Sequence, residues 1–157
     1  MVEMNNLPLS TKPLKQNYMW RDLSRRAITH GVPFTGIPKY PISNFSRVNR
    51  VSCLAAQEGW VVEFAQATYR QWFLNHLDPG EESTLQLVLG EIGRTADSVL
   101  KNADSDEICV ALAAATERAR SLGIFGAPTF AVGNELFWGD DRLEDAVRWL
   151  GADRGSV

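Results

Sequence analysis

Cysteine, histidine and long apolar runs are all scarce in this 157-residue sequence, and each scarcity removes a class of chemistry. The two cysteines, Cys53 and Cys109, stand far apart, with no Cys-x-x-Cys pair and no Cys/His cluster. That argues against a dithiol redox centre and against zinc, and each is expected as a small buried hydrophobe. His30 and His76, the two histidines, lie near helix ends, where the dipole favours a cation, and neither has a partner for acid–base work visible in the sequence. The longest uninterrupted apolar stretch, Ile108 to Ala115, falls far short of the roughly 18 residues of a spanning helix. The opening MVEMNNLPLSTK lacks the basic and apolar regions of a secretory leader, so a cytoplasmic protein is expected. A basic run interleaved with aromatics is also missing, which disfavours nucleic acid as a partner.

What is present is ordinary globular material: 45% hydrophobic, 22% charged and 10% aromatic, enough for one domain with a real core. Charge is lopsided. Residues 1–50 hold eight Lys/Arg against two Asp/Glu, and residues 51–157 hold eight against seventeen, within a net charge of -3. That asymmetry suits a small anionic ligand.

The Pro-rich segment NNLPLSTKPLKQ is expected as a loop, followed by a helix over Tyr18 to His30 with Met19, Leu23 and Ala27 on one face and Gly31 and Pro33 as stops. GVPFTGIPKYPISN should drape as a loop over a neighbouring element at the edge of a site. Phe45 to Leu77 reads as helix broken near Gly59, its aromatic stripe (Trp60, Tyr69, Trp72, Phe73) fitting core better than a substrate pocket. Helices over Ser83 to Ile92 and Thr95 to Asn102 follow. Asp104 with Glu107 has capping-box spacing for a helix running to Leu122, with Gly123 as its stop. Pro128 to Val132 and Glu135 to Trp138, separated by Gly133-Asn134, read as an antiparallel hairpin. Asp141 with Glu144 repeats the capping-box spacing for a last helix through Leu150, ended by Gly151. One hairpin is a poor sheet, and its open edges call for cover.

The stretch GIFGAPTFAVGNELFWGDDRLEDAVRWL, residues 123–150, resembles the C-terminal part of the bacterial 2-hydroxychromene-2-carboxylate isomerases, which are thioredoxin-fold relatives of kappa-class glutathione transferases and of DsbA-type oxidoreductases. Asn6, Pro8, Lys15, Tyr18-Met19, Arg21-Asp22-Leu23 and GVPF at 31–34 resemble the segment after that family's second strand, so the resemblance spans nearly the whole chain. It implies an α/β, thioredoxin-like fold of DsbA/kappa type, mostly helical, with a helical insertion and a C-terminal hairpin plus helix. In this reading 1–17 is a remnant of the thioredoxin-like domain, 18–122 the helical insertion and connecting helix, and 123–157 the C-terminal part of that domain. The family's opening strand–helix–strand unit, with its Ser-Pro-Tyr motif, has no counterpart in these residues. The chain is accordingly expected to be N-terminally truncated or started at the wrong methionine.

The resemblance further implies glutathione as cofactor. Ala127 and Pro128 match the cis-proline loop that offers its backbone to the cysteinyl part, although a trans-proline opening an edge strand fits the residues alone. Asp140, Asp141 and Arg142 match the turn that holds the γ-glutamyl end, Asp141 also reading as a plain N-cap. Asn6 aligns with an Asn that touches the glutathione backbone, though Asn5 stands where a Gly usually precedes it. Lys15 and Tyr18, with Lys12 and Arg21, are weaker candidates for the carboxylate of a small aromatic substrate, and a solvated face explains them equally well. The Phe-Pro-x-Asn segment of the isomerases corresponds to Tyr40-Pro41-Ile42-Ser43-Asn44, with either Ser43 or Asn44 in the place of the Asn. No metal site and no catalytic residue are assigned, since the family's serine is absent. The expected function is glutathione-dependent isomerisation of the 2-hydroxychromene-2-carboxylate type, impaired in this chain, in a homodimer with no membrane or nucleic-acid partner. The alternatives are a kappa-class transferase or peroxidase, and a non-catalytic helical binding or dimerisation module.

Overall fold

Proline 13 opens the first helix. The structure, a computed structural model, describes residues 11–152, and α1 runs over Pro13–Thr29 with the proline at its start. The Pro-rich segment is therefore helical from Pro13 instead of a loop up to Gln16. A proline in the first helical turn forfeits an N–H that has no partner there anyway, and its fixed φ suits the helix. Five helices follow: α2 (Phe45–Glu58), α3 (Val61–Phe73), α4 (Glu82–Glu91), α5 (Ala96–Ala103) and α6 (Asp106–Ser121). Then come strands β1 (Thr129–Val132) and β2 (Glu135–Trp138), a 3-10 turn at Asp140–Arg142, and α7 (Leu143–Ala152). Chain contacts divide this into a helical unit, Lys12–Ala114, and a C-terminal unit from Ala115 on. Among the described residues no helix is long and apolar enough to cross a membrane.

The break between α2 and α3 is made by Gly59 at φ 81, a left-handed conformation that costs glycine nothing, and the Trp60 N–H folds back onto the Ala55 carbonyl (2.9 Å). Gly123, at φ 77, ends α6 in the same way, with the Ile124 N–H on Ala119 (3.0 Å). At the other end of α6 the expected capping box does not form. Ser105 is the residue whose hydroxyl accepts from the Ile108 N–H (3.4 Å) and whose carbonyl accepts from Cys109 (3.0 Å). Asp104 instead closes α5 and turns its carboxylate to Arg50 (2.6 Å) and Arg47 (3.1 Å), which takes it away from the start of α6. The α3 helix stops at Phe73, four residues before the expected Leu77, and α7 passes through Gly151 to Ala152.

The main core cluster lies in the helical unit, between Val48 and Ile108, around Val51, Phe64, Leu85, Val88 and Leu89. Of the aromatic stripe, Trp60 is buried in this core, whereas Tyr69 is 57% exposed. Cys53 is half-buried and Cys109 exposed, so only the former approaches the expected buried thiol; α6 passes beyond the α2–α5 cluster, which leaves most of its length in solvent.

The proline-rich loop after α1 does drape over its neighbours. Thr35 binds the Phe73 and Leu74 carbonyls and meets His76 Nε2 (3.1 Å), so that histidine has a partner the sequence did not reveal. Lys39 accepts the Trp72 indole N–H at its carbonyl (3.0 Å), and its ammonium reaches Asp78 and Glu81, both at 3.2 Å. Asp78 is buried. Burial would push its carboxyl up, but the Gly80 and Ser43 N–H groups and the Lys39 ammonium outweigh that and hold it below the ordinary range. At Gly80 a methyl group would stand 1.5 Å from the Ser43 carbonyl oxygen, so the Asp-Pro-Gly turn admits only glycine there.

Candidate functional site at the hairpin

The C-terminal unit is organised by one register. Thr129 pairs with Trp138, Phe130 with Phe137, Ala131 with Leu136 and Val132 with Glu135, leaving Gly133-Asn134 as the two-residue loop. That pairing brings the segment before β1 and the segment after β2 to the same end of the hairpin. Phe125, Gly126, Ala127 and Pro128 lie on one side, and Gly139 with the turn Asp140–Arg142 on the other. The Gly139 N–H donates to the Pro128 carbonyl (3.0 Å), joining the two segments directly.

Ala127–Pro128 is a cis peptide, as the resemblance implied and contrary to the plain edge-strand reading. Both residues are exposed, and among the described residues no hydrogen bond occupies the Ala127 N–H or carbonyl. The loop is held from both flanks. The Thr129 hydroxyl donates to the Gly126 carbonyl (2.6 Å), and the Trp138 indole lies so close over Gly126 that a methyl group there would meet Nε1 at 2.5 Å. Phe125 packs edge-on against the same indole at 4.9 Å. Trp138 itself remains 52% exposed. Gly126 and Trp138 lie within the segment that carries the resemblance, but the sequence gives neither a role; the signal is the placing of a glycine two residues before the proline and a tryptophan opposite the first strand residue.

On the other side of the hairpin end, Gly139 has φ 120, and the Asp141 carboxylate folds back so that a methyl group on Gly139 would stand 2.3 Å from its Oδ1. Asp141 is thus not the expected cap: it lies inside the 3-10 turn, and among the described residues no hydrogen bond to its carboxylate closes a helix start. Asp140, Asp141 and Arg142 are all exposed. The Arg142 guanidinium is paired with Asp145 on α7 (2.8 Å). Of the remaining candidates, Lys15 and Tyr18 sit on α1 in the helical unit, both exposed, Tyr18 under the Arg25 guanidinium at 5.8 Å. Asn6 lies outside the described residues. Ser43 and Asn44 serve the scaffold, Ser43 through its N–H to Asp78 and Asn44 as the left-handed residue (φ 35) before α2.

A profile of the DSBA-like thioredoxin domain matches residues 1–151. The chain belongs to that family. This DSBA-like chain is 28% identical over 136 residues to a 2-hydroxychromene-2-carboxylate isomerase of Sphingobium xenophagum, an alignment covering 87% of this chain and 68% of the relative. It is also 28% identical over 144 residues to the 2-hydroxychromene-2-carboxylate isomerase of Pseudomonas putida, covering 90% of this chain and 70% of that one. Its fold matches the solved structure of a 2-hydroxychromene-2-carboxylate isomerase with a TM-score of 0.79, over 99% of this chain and 79% of the other, at 24% identity. The mostly helical thioredoxin-like architecture with a terminal hairpin and helix is therefore that of the family.

Proposed function

We propose that this DSBA-like chain is a glutathione-dependent isomerase of the 2-hydroxychromene-2-carboxylate type. The two named relatives support the reaction class. The observation that carries the site is the Gly139 N–H on the Pro128 carbonyl, which ties a peptide-offering loop to an acidic turn at one end of the hairpin. The residues fit a γ-glutamyl peptide. Among the described residues nothing pairs with the Ala127 N–H and carbonyl, so a cysteinyl backbone pairs with it as an added strand. Pro128 keeps that edge free of a competing N–H donor. Asp140 and Asp141 answer the ammonium of the γ-glutamyl end, and the first turn beyond Gly139, with Arg142, answers its carboxylate. Asn6, outside the described residues, joins the set by resemblance alone.

When bound, glutathione supplies a thiol. The chain's own residues orient it: Trp138 and the Thr129 hydroxyl hold Gly126 in place, and Gly139 holds the turn. The substrate in this reading is a small aromatic carboxylate.

Calorimetry with reduced glutathione on the full chain tests this reading. Saturable binding that Asp141→Asn weakens about tenfold, a loss of about 1.4 kcal/mol, is the expected result. No binding to a folded chain would sink it and leave the non-catalytic module, a reading favoured by the exposed Phe125, Trp138, Val147 and Leu150 of the C-terminal unit, which a second copy would cover.

A further inference from the structure

Consecutive strand residues point to opposite faces of a hairpin. Trp138 faces Gly126 and the proline loop; Phe137, its neighbour, faces α7 and meets Trp149 with ring centroids 6.4 Å apart. Around that aromatic pair an open cleft of about 370 Å³ is lined by Phe137, Arg142, Asp145, Arg148, Trp149 and Ala152. The floor is aromatic, and Trp149 keeps 46% of its surface exposed.

The rim carries charges of both signs. Asp145 is shared between Arg142 (2.8 Å) and Arg148, so two guanidiniums stand against one carboxylate. The Asp145 side chain is 26% exposed while those of Arg142 and Arg148 are 50% and 76% exposed, which leaves donors on both arginines facing solvent and, among the described lining residues, one positive charge in excess. A flat ring against Trp149 and an anionic group against Arg148 satisfy both features together, because guanidinium forks bind carboxylates and indole faces stack on planar rings.

We propose that this cleft between β2 and α7 is a second binding site, taking a planar aromatic carboxylate. It lies on the Phe137 face of the hairpin, shares Arg142 with the turn proposed for glutathione, and does not rest on the isomerase reading: a chain that neither binds glutathione nor turns over substrate still displays it. Arg148 and Trp149 are the residues that define it, Arg148 binding the carboxylate and Trp149 the ring.

Titrating the full 157-residue chain with 1-naphthoate, while following the indole N–H resonances by heteronuclear NMR, tests the proposal. Trp149→Phe assigns its own resonance, and Trp138 is assigned in the same way. The Trp149 indole is expected to shift saturably, Arg148→Ala to weaken the binding about tenfold or more, and the neutral 1-naphthalenemethanol to bind about tenfold more weakly, each factor corresponding to about 1.4 kcal/mol. Arg148 is a surface residue, so an unchanged spectrum away from the cleft confirms that the variant is folded. A shift confined to the Trp138 indole, no saturable shift, equal binding by the Arg148→Ala chain, or equal binding of the neutral alcohol each overturns it.

Discussion

The two units of the chain bury their apolar residues to very different degrees. From Val48 to Ile108 the helical unit encloses a continuous core, with Val51, Val88 and Leu89 wholly inaccessible; beyond Ala115, among the described residues, Ala146 alone of the hydrophobic residues is buried. Four helices can close on one another with side chains from every direction. A two-stranded hairpin with one helix has a covered face, an open face and two open edges, and is marginal by itself. The contrast separates the unit that carries the core from the unit that carries the proposed sites: among the described residues, the unit with little core is the one with the Ala127 peptide edge, an acidic turn and an aromatic cleft.

The strongest way to break the comparison is at the turn that straps the helical unit together. Gly80→Ala places a methyl group against the Ser43 carbonyl and is expected to cost about 3 kcal/mol or to abolish folding, read by urea denaturation. Leu89→Ala should cost about 2–5 kcal/mol by the same measurement, whereas Leu150→Ala on α7, 64% exposed, should stay within about 0.5 kcal/mol. Equal effects of the two leucine substitutions would erase the distinction.

A smaller effect is expected in the other unit. Gly126→Ala displaces the Trp138 indole and should weaken glutathione binding about tenfold, about 1.4 kcal/mol, while leaving the denaturation of the helical unit nearly unchanged. The smallest concerns acid. The Arg50 and Arg47 guanidiniums hold the Asp104 carboxyl below its ordinary value against the opposing pull of burial. Its contribution to stability is therefore fully present above the unfolded-state value of about 3.9 and is lost as pH falls through the lower folded value. Asp104→Asn should lower stability at neutral pH and flatten the fall of the urea midpoint below about pH 4. A midpoint whose acid dependence is unchanged in that variant would show that Asp104 is not coupled to the fold.

Much of the architecture was legible because the signals were local. Gly59 and Gly123 end helices through hydrogen bonds reaching back five residues, and Gly133-Asn134 closes a hairpin between two short apolar runs. The proline loop at Ala127-Pro128 and the turn at Asp140–Arg142 stood out as motifs, and the hairpin register shows why two segments eleven or more residues apart share one end. The failures were equally specific. The spacing Asp104…Glu107 is that of a capping box, but Asp104 is taken by arginines more than fifty residues upstream and Ser105 caps in its place. Pro13 read as a loop former and proved to be a helix opener.

The sequence by itself determined the succession of helices, the stops between them and the place of the hairpin, because those depend on φ preferences and hydrogen bonds within a few residues. Only the tertiary structure decided that Asp78 is buried among N–H donors and an ammonium, that Trp138 covers Gly126, and that Arg142 and Arg148 share Asp145 beside Trp149. Burial and charge pairing depend on which surfaces the folded chain brings together, and a side chain's own type does not specify its neighbours across the fold.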